Sequence, residues 1–125
     1  MNADLQDDGA LPAEHVGLVV EVFRMLADAT RVEILWLLRG GERSVNDVAD
    51  ALGKPAPSIS QHLAKLRMAR LVRPRRAGTQ VFYSLENEHV GRLVSDAVFN
   101  AEHAGPGIPT HHQGRRIAAV HPLRT

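Results

Sequence analysis

Residues 44–69 read SVNDVADALGKPAPSISQHLAKLRMA, and this stretch decides the fold. Ser44 is suited to cap a short helix, with the acid Asp47 at its third position, and Gly53 is suited to end it. After a turn over 54–57, apolar residues recur at offsets of four and seven, which predicts a second helix over about 57–69. A short capped helix, a tight turn and a second helix indicate a helix-turn-helix.

Two helices are predicted before this stretch. Pro12 and the apolar spacing that follows it predict an amphipathic helix over about 12–27. Asp28 or Thr30 would cap the next helix, and the glycines at 40–41 would stop it.

A hairpin and a last helix are predicted after it. Over 71–85, Val81, Tyr83 and Leu85 alternate with Phe82 and Ser84, and a turn at 77–78 predicts two strands. Asn87 would cap a helix that continues to His103. We therefore expect a mainly α protein with a small β-hairpin: a flexible acidic arm over 1–11, a winged helix-turn-helix over 12–104 and a flexible His-containing tail over 105–125.

Charge is unevenly distributed along the chain. Residues 1–50 carry ten acids and four bases, whereas residues 51–85 carry seven bases and no acid. A basic segment of this kind suits a polyanion, and the hairpin follows the second helix at the place where a wing contacts the DNA backbone. The pattern predicts a double-stranded DNA partner.

The residues expected to touch DNA follow from the helical phase. If Ile59, Leu63 and Leu66 are buried, the opposite face of the helix is short and polar, with Ser60 for several bases, Gln61 for adenine and Lys65 for guanine or a phosphate. His62 lies beside the buried stripe, so we expect a hydrogen-bonded histidine at the core's edge. The predicted DNA-contacting residues are Lys54, Ser58, Ser60, Gln61, Lys65, Arg67, Arg73, Arg75 and Arg76.

Composition excludes other classes of protein. The 125 residues make one domain, and the absence of cysteine excludes disulfides, thiolate metal sites and Cys nucleophiles. No run is apolar enough to span a membrane, and Asp4, Asp7 and Asp8 stand where a signal peptide would be basic. We expect a soluble, cytoplasmic protein.

Four stretches resemble the ArsR/SmtB family of metal-responsive repressors. They are LADATR at 26–31, VEIL at 32–35, SISQHLAKL at 58–66 and VFYSL at 81–85, within a match over about 15–112. The resemblance implies a homodimer, an operator with two-fold symmetry and release of DNA when a metal binds. We expect dimerisation through the first and last helices.

The family binds metals at several places, and only some have ligands here. Its thiolate site needs cysteines in the helix after Ser44, where there are none. Its zinc site on the last helix corresponds to Asn87, His89, Asn100 and His103, and amides are weak zinc ligands, so Zn(II) is disfavoured.

Residues 87–90 and 96–112 resemble the KmtR-type nickel/cobalt sensors of the family. Carried over residue by residue, this resemblance implies the metal ligands His89, Glu102, His103, His111 and His112. Five histidine and carboxylate ligands suit six-coordinate Ni(II) or Co(II) better than structural zinc.

Helical geometry agrees with a metal site shared between subunits. His89 and His103 lie on one face, but fourteen residues of helix separate them by about 21 Å. Two copies of the helix that cross antiparallel near residue 96 would bring His89 of one beside His103 of the other. The loop at 105–109 would allow His111 and His112 to fold back onto that end.

The sequence can be compared with three other interpretations. A winged-helix regulator without its own metal response, controlled by a protein co-regulator or another signal, stays open. A metal-dependent hydrolase is disfavoured because the chain has no H-E-x-x-H, G-x-S-x-G or phosphate loop, so no enzyme is expected. A plain dimerisation module leaves the basic segment unexplained.

Overall fold

The computed structural model describes residues 9–104. Most of the predicted arm and the whole predicted tail, with His111 and His112, lie outside the described residues. The chain divides into two compact units, Met1–Gly91 and Arg92–Thr125, of which residues 9–91 and 92–104 are described.

Within residues 9–104 the chain forms five helices and three strands. In order they are α1 (Ala13–Leu26), α2 (Ala29–Leu38), β1 (Arg43–Ser44), α3 (Val45–Leu52), α4 (Ala56–Met68), β2 (Val72–Ala77), β3 (Gln80–Leu85) and α5 (Glu88–Ala104). None of these helices is long and apolar enough to cross a membrane. The mainly helical architecture is confirmed.

The predicted caps begin and end the helices. Asp28 accepts a hydrogen bond from the backbone N–H of Arg31 at 3.0 Å, and Ser44 Oγ accepts one from that of Asp47 at 3.1 Å. Asn87 Oδ1 accepts the N–H of Val90 at 3.2 Å. Gly53 ends α3 in the left-handed conformation, with φ of 65°. Because each cap satisfies N–H groups that have no partner inside the helix, the boundaries could be predicted from local sequence.

The predicted hairpin is present, and a third strand extends it. β2 and β3 pair antiparallel from Val72↔Leu85 to Ala77↔Gln80, and Gly78 turns between them with φ of 65°. β1 adds two residues to the other edge of β3, in the register Arg43↔Tyr83. The sequence analysis did not predict β1, because two residues are too few to show an alternating pattern.

The core holds the two helices of the helix-turn-helix against the sheet. Side chains from four elements are fully buried: Ile34 and Leu35 of α2, Val48 of α3, Ile59, Leu63 and Leu66 of α4, and Val72 of β2. The hairpin of β2 and β3, which we call the wing, is therefore attached to the same apolar cluster that holds α4.

A polar cluster at the edge of this core joins three helices. The Nε of Arg31 in α2 donates a 2.7 Å hydrogen bond to the carbonyl of Met25, in the last turn of α1. The guanidinium of Arg31 also lies 3.4 Å from Nδ1 of His62 in α4, and that nitrogen is 3.8 Å from Asp28. His62 is half-buried and hydrogen-bonded at the core's edge, which confirms the prediction for this residue.

We predict that Leu63→Ala lowers the free energy of unfolding by about 2–5 kcal/mol, since it leaves a cavity where a side chain is fully buried. Met68→Ala on the same helix, where the residue is 84% exposed, should change it by less than about 0.5 kcal/mol. Urea unfolding at one fixed protein concentration measures both. Equal losses in the two variants would contradict the buried face assigned to α4.

Candidate nucleic-acid interface

The burial of α4 determines which of its side chains are accessible. Ile59, Leu63 and Leu66 have no exposed surface. Ser60 and Gln61, whose side chains project from other sides of the helix, are exposed. Short polar side chains that face solvent from a firmly packed helix are the type that contacts base edges in the major groove.

Most of the sequence-predicted DNA residues lie at the surface. Seven are exposed and two are half-buried, all within the unit that ends at residue 91: the exposed residues are Ser60, Gln61, Lys65, Arg67, Arg73, Arg75 and Arg76, and the half-buried ones are Lys54 and Ser58. We call these nine residues the candidate interface.

The strand register sets the directions of the wing arginines. Arg73 pairs with Ser84, Arg75 with Phe82 and Arg76 with Val81. Because side chains alternate along a strand, Arg73 and Arg75 share one face of the hairpin and Arg76 lies on the other. The hairpin therefore presents positive charge on both faces.

Arg75 is already engaged by an acid. Its Nε and one terminal nitrogen each donate a 2.8 Å hydrogen bond to the carboxylate of Glu42, the second residue before Ser44. These hydrogen bonds lower the pKa of Glu42 and raise that of Arg75 from their ordinary values. The carboxylate is therefore ionised at neutral pH.

Sequence reasoning missed Glu42 and the polar groups beside the wing. A cleft of about 240 Å³ opens between the start of α3 and the turn of the hairpin, lined by Ser44, Val45, Asn46, Thr79, Gln80 and Val81. Both features depend on the pairing of β1 with β3. The pattern at residues 43–44 carries no signal for that pairing.

Arg70 adopts a left-handed backbone conformation, which is unfavourable for residues other than glycine. It lies just after α4 with φ of 62°, and within residues 9–104 it is the one non-glycine residue with positive φ. Its N–H donates to the carbonyl of Arg67 and the N–H of Leu71 donates to that of Leu66, both at 2.9 Å. Glycine is common at this position of a helix end, so a charged residue here is a departure from the locally favoured sequence.

The candidate metal ligands inside the described residues all lie on α5. His89 belongs to the unit that ends at Gly91, and Glu102 and His103 belong to the unit that begins at Arg92. Nδ1 of His103 lies 2.9 Å from the carbonyl of Phe99. Among residues 9–104 no group of three or more His, Cys, Asp or Glu side chains is placed to hold a metal ion.

Two sequence comparisons identify relatives of the chain. Residues 28–73 match a family model described as bacterial regulatory protein, arsR family. The HTH-type transcriptional regulator KmtR of Mycobacterium tuberculosis is 71% identical over 113 residues, which is 90% of this chain and 86% of that protein.

Solved structures with the same fold include those of Mb0332 and AntR. The homodimeric winged helix-turn-helix domain of Mb0332 from Mycobacterium bovis has a TM-score of 0.69 and 35% identity, covering 76% of this chain and 89% of the other. The antimony-specific transcriptional repressor AntR has a TM-score of 0.70 and 31% identity, covering 81% of this chain and 92% of its own. The winged helix-turn-helix is thus confirmed.

We predict that Arg70→Gly raises the free energy of unfolding by about 1 kcal/mol, because it relieves the left-handed strain of an L-residue. Arg67→Gly removes the same charge three residues earlier, inside α4, and should lower it by about 1 kcal/mol. Thermal unfolding of the two variants at equal concentration measures the difference. Destabilisation by Arg70→Gly would contradict the strain assigned to this position.

Proposed function

Since the chain belongs to the ArsR family of bacterial regulatory proteins, we propose that it represses transcription by binding an operator through α4 and the wing. Proteins of this family bind DNA and are not enzymes, in agreement with the expectation from sequence. The observation that carries the proposal is the exposed polar face of α4, which lies opposite a fully buried stripe and beside a basic hairpin. The expected location remains the cytoplasm.

The helix α4 would read the base sequence of the DNA. Gln61 has a carbonyl and an amino group that match adenine in the major groove, and Ser60 can bond several bases. Lys65 would bond guanine or a phosphate. Ser58, in the first turn of α4, is half-buried and would contact the DNA backbone beside that end of the helix.

The other basic residues would contact phosphates and so fix the position of the protein. Arg73 and Arg76 extend from the wing, and Arg67 extends from the last turn of α4. Such contacts carry no sequence information but supply much of the affinity, which falls with salt. Lys54, in the turn before α4, belongs to the same group.

A second copy of the chain would cover α1. No residue of this helix is buried, and even its large apolar side chains face solvent: Leu18 is 67% and Phe23 is 56% exposed. Apolar side chains lined along one helix favour burial against a partner, and the structural neighbour Mb0332 is homodimeric. A homodimer through the first and last helices would present two α4 helices to an operator with two-fold symmetry.

The proposed effector is Ni(II) or Co(II), bound by His89, Glu102, His103, His111 and His112. A carbonyl only accepts hydrogen bonds, so Nδ1 of His103 is the donor in its contact with Phe99, and Nε2 would be the nitrogen that binds the metal. Metal-binding histidines are commonly oriented by such a bond, so the observed contact fits the ligand role. The set of imidazole and carboxylate donors also suits these two ions.

Metal and operator would then be linked through the dimer. A ligand that prefers one placement of the two subunits lowers DNA affinity when that placement does not fit the operator. Typical couplings of about 1–3 kcal/mol would lower it about 5- to 150-fold, and DNA would weaken metal binding by the same factor.

We predict that Gln61→Ala weakens binding to a DNA duplex taken from the region upstream of the protein's own gene by about 1–3 kcal/mol. It should have little effect on binding to a random-sequence duplex. Arg73→Ala should weaken binding to both and reduce the slope of log affinity against log salt by about one. Fluorescence anisotropy with both duplexes measures these effects. Equal losses on the two duplexes for Gln61→Ala would exclude a reading role.

We predict that Ni(II) or Co(II) releases the wild-type protein from DNA at concentrations where Zn(II) does little. The double variant His89→Ala/His103→Ala should bind metal-free DNA normally and lose this response. His121→Ala is the matched control and should keep it. Indifference of the wild type to all three metals would favour the alternative function, a winged-helix regulator controlled by a protein co-regulator or another signal.

A further inference from the structure

The contact between Arg75 and Glu42 reaches across the whole sheet. Arg75 lies on β2, its guanidinium is 5.1 Å from the centre of the Phe82 ring on β3, and the carboxylate that it binds precedes β1. Phe82 pairs with Arg75 on one side and with Ser44 on the other. The third strand therefore brings an acid from the acidic half of the chain to the basic wing.

The carboxylate occupies the part of Arg75 that a phosphate would use. Both oxygens of Glu42 accept from two nitrogens of one guanidinium, each at 2.8 Å. This two-pronged geometry is the one in which arginine binds phosphate. Arg75 cannot direct the same pair of N–H groups at Glu42 and at DNA simultaneously.

No other residue of the candidate interface is held in this way. Of the ion pairs Arg24–Glu21, His62–Asp28 and Arg75–Glu42, only the last includes an interface residue. The side chains of Arg75 and Glu42 are 57% and 34% exposed. Ion pairs in contact with water are weak, so a nearby phosphate can replace the carboxylate.

We propose that Glu42 competes with DNA phosphates for Arg75 and thereby lowers the affinity of the wing for any duplex. The inference rests on the proposed contact between the wing and DNA. Exchanging a carboxylate for a phosphate leaves the carboxylate to attract a counterion, so the exchange releases no net counterion. In the wild type, Arg75 then contributes little to the salt dependence of binding.

Glu42→Gln tests this, because glutamine keeps the shape of the side chain and removes its charge. A random-sequence duplex and the chain's own upstream region should both bind about three- to tenfold more tightly, with a salt slope steeper by about 0.9. Fluorescence anisotropy over a series of salt concentrations measures both quantities. Unchanged or weaker binding would overturn the inference, because Glu42 would then be irrelevant to the wing or needed to orient it.

Glu33→Gln is the control for net charge. Glu33 is an exposed carboxylate on α2, outside the candidate interface and outside the two helices through which we propose dimerisation, and its loss changes the net charge equally. DNA affinity should change by less than about twofold. A gain equal to that of Glu42→Gln would mean that overall charge, and not competition for Arg75, explains the effect.

Arg75→Gln and the double variant Glu42→Gln/Arg75→Gln separate this inference from the proposed function. If Arg75→Gln leaves affinity unchanged both in the wild type and in the Glu42→Gln background, the wing contact itself is wrong at this residue. If it weakens binding but Glu42→Gln brings no gain, the wing contact stands and the competition is wrong. The competition is supported when Glu42→Gln tightens binding and this gain disappears in the Arg75→Gln background.

Discussion

The burial of one side of α4 is the constraint on which the rest of the structure depends. Ile59, Leu63 and Leu66 are fully buried, and α4 packs against α2, α3 and β2, so the helix cannot rotate about its axis without exposing these three side chains. Since each residue advances about 100° around a helix, fixing these three directions also fixes those of Ser60 and Gln61. The buried side of α4 therefore determines which side chains the helix presents on the face that we propose reads DNA.

Features set by neighbouring residues could be predicted from the sequence. The caps at Asp28, Ser44 and Asn87 and the glycine end of α3 each involve residues within a few positions, and α1 and α4 begin and end within one residue of expectation. The exposed positions of Ser60, Gln61 and Lys65 follow from the same local phase, whereas the basic residues of the turn and the wing were predicted from their charge and their place in the sequence. Their contacts with DNA remain a prediction, as does the metal site, because two of its five residues lie beyond position 104.

Features set by distant residues could not be predicted. Arg75 and Glu42 are 33 positions apart, and only the pairing of β1 with β3 brings them together. The sequence between 51 and 85 contains no acid, yet the folded wing has one in direct contact. Charge counted along a chain therefore overstates the charge that a folded surface offers, because pairing between strands mixes segments of opposite sign.

Through its exposed apolar face, α1 would link the stability of the fold to the concentration of the protein. α1 has no buried residue: positions 13–20 are exposed, and only toward its end are Val22, Met25 and Leu26 half-buried, with the carbonyl of Met25 accepting a hydrogen bond from Arg31. If a second copy covers it as proposed, mass action stabilises the fold as the protein accumulates and loosens it on dilution. Few molecules per cell would then mean not merely fewer repressors but less completely folded ones, so that repression would fall faster than copy number.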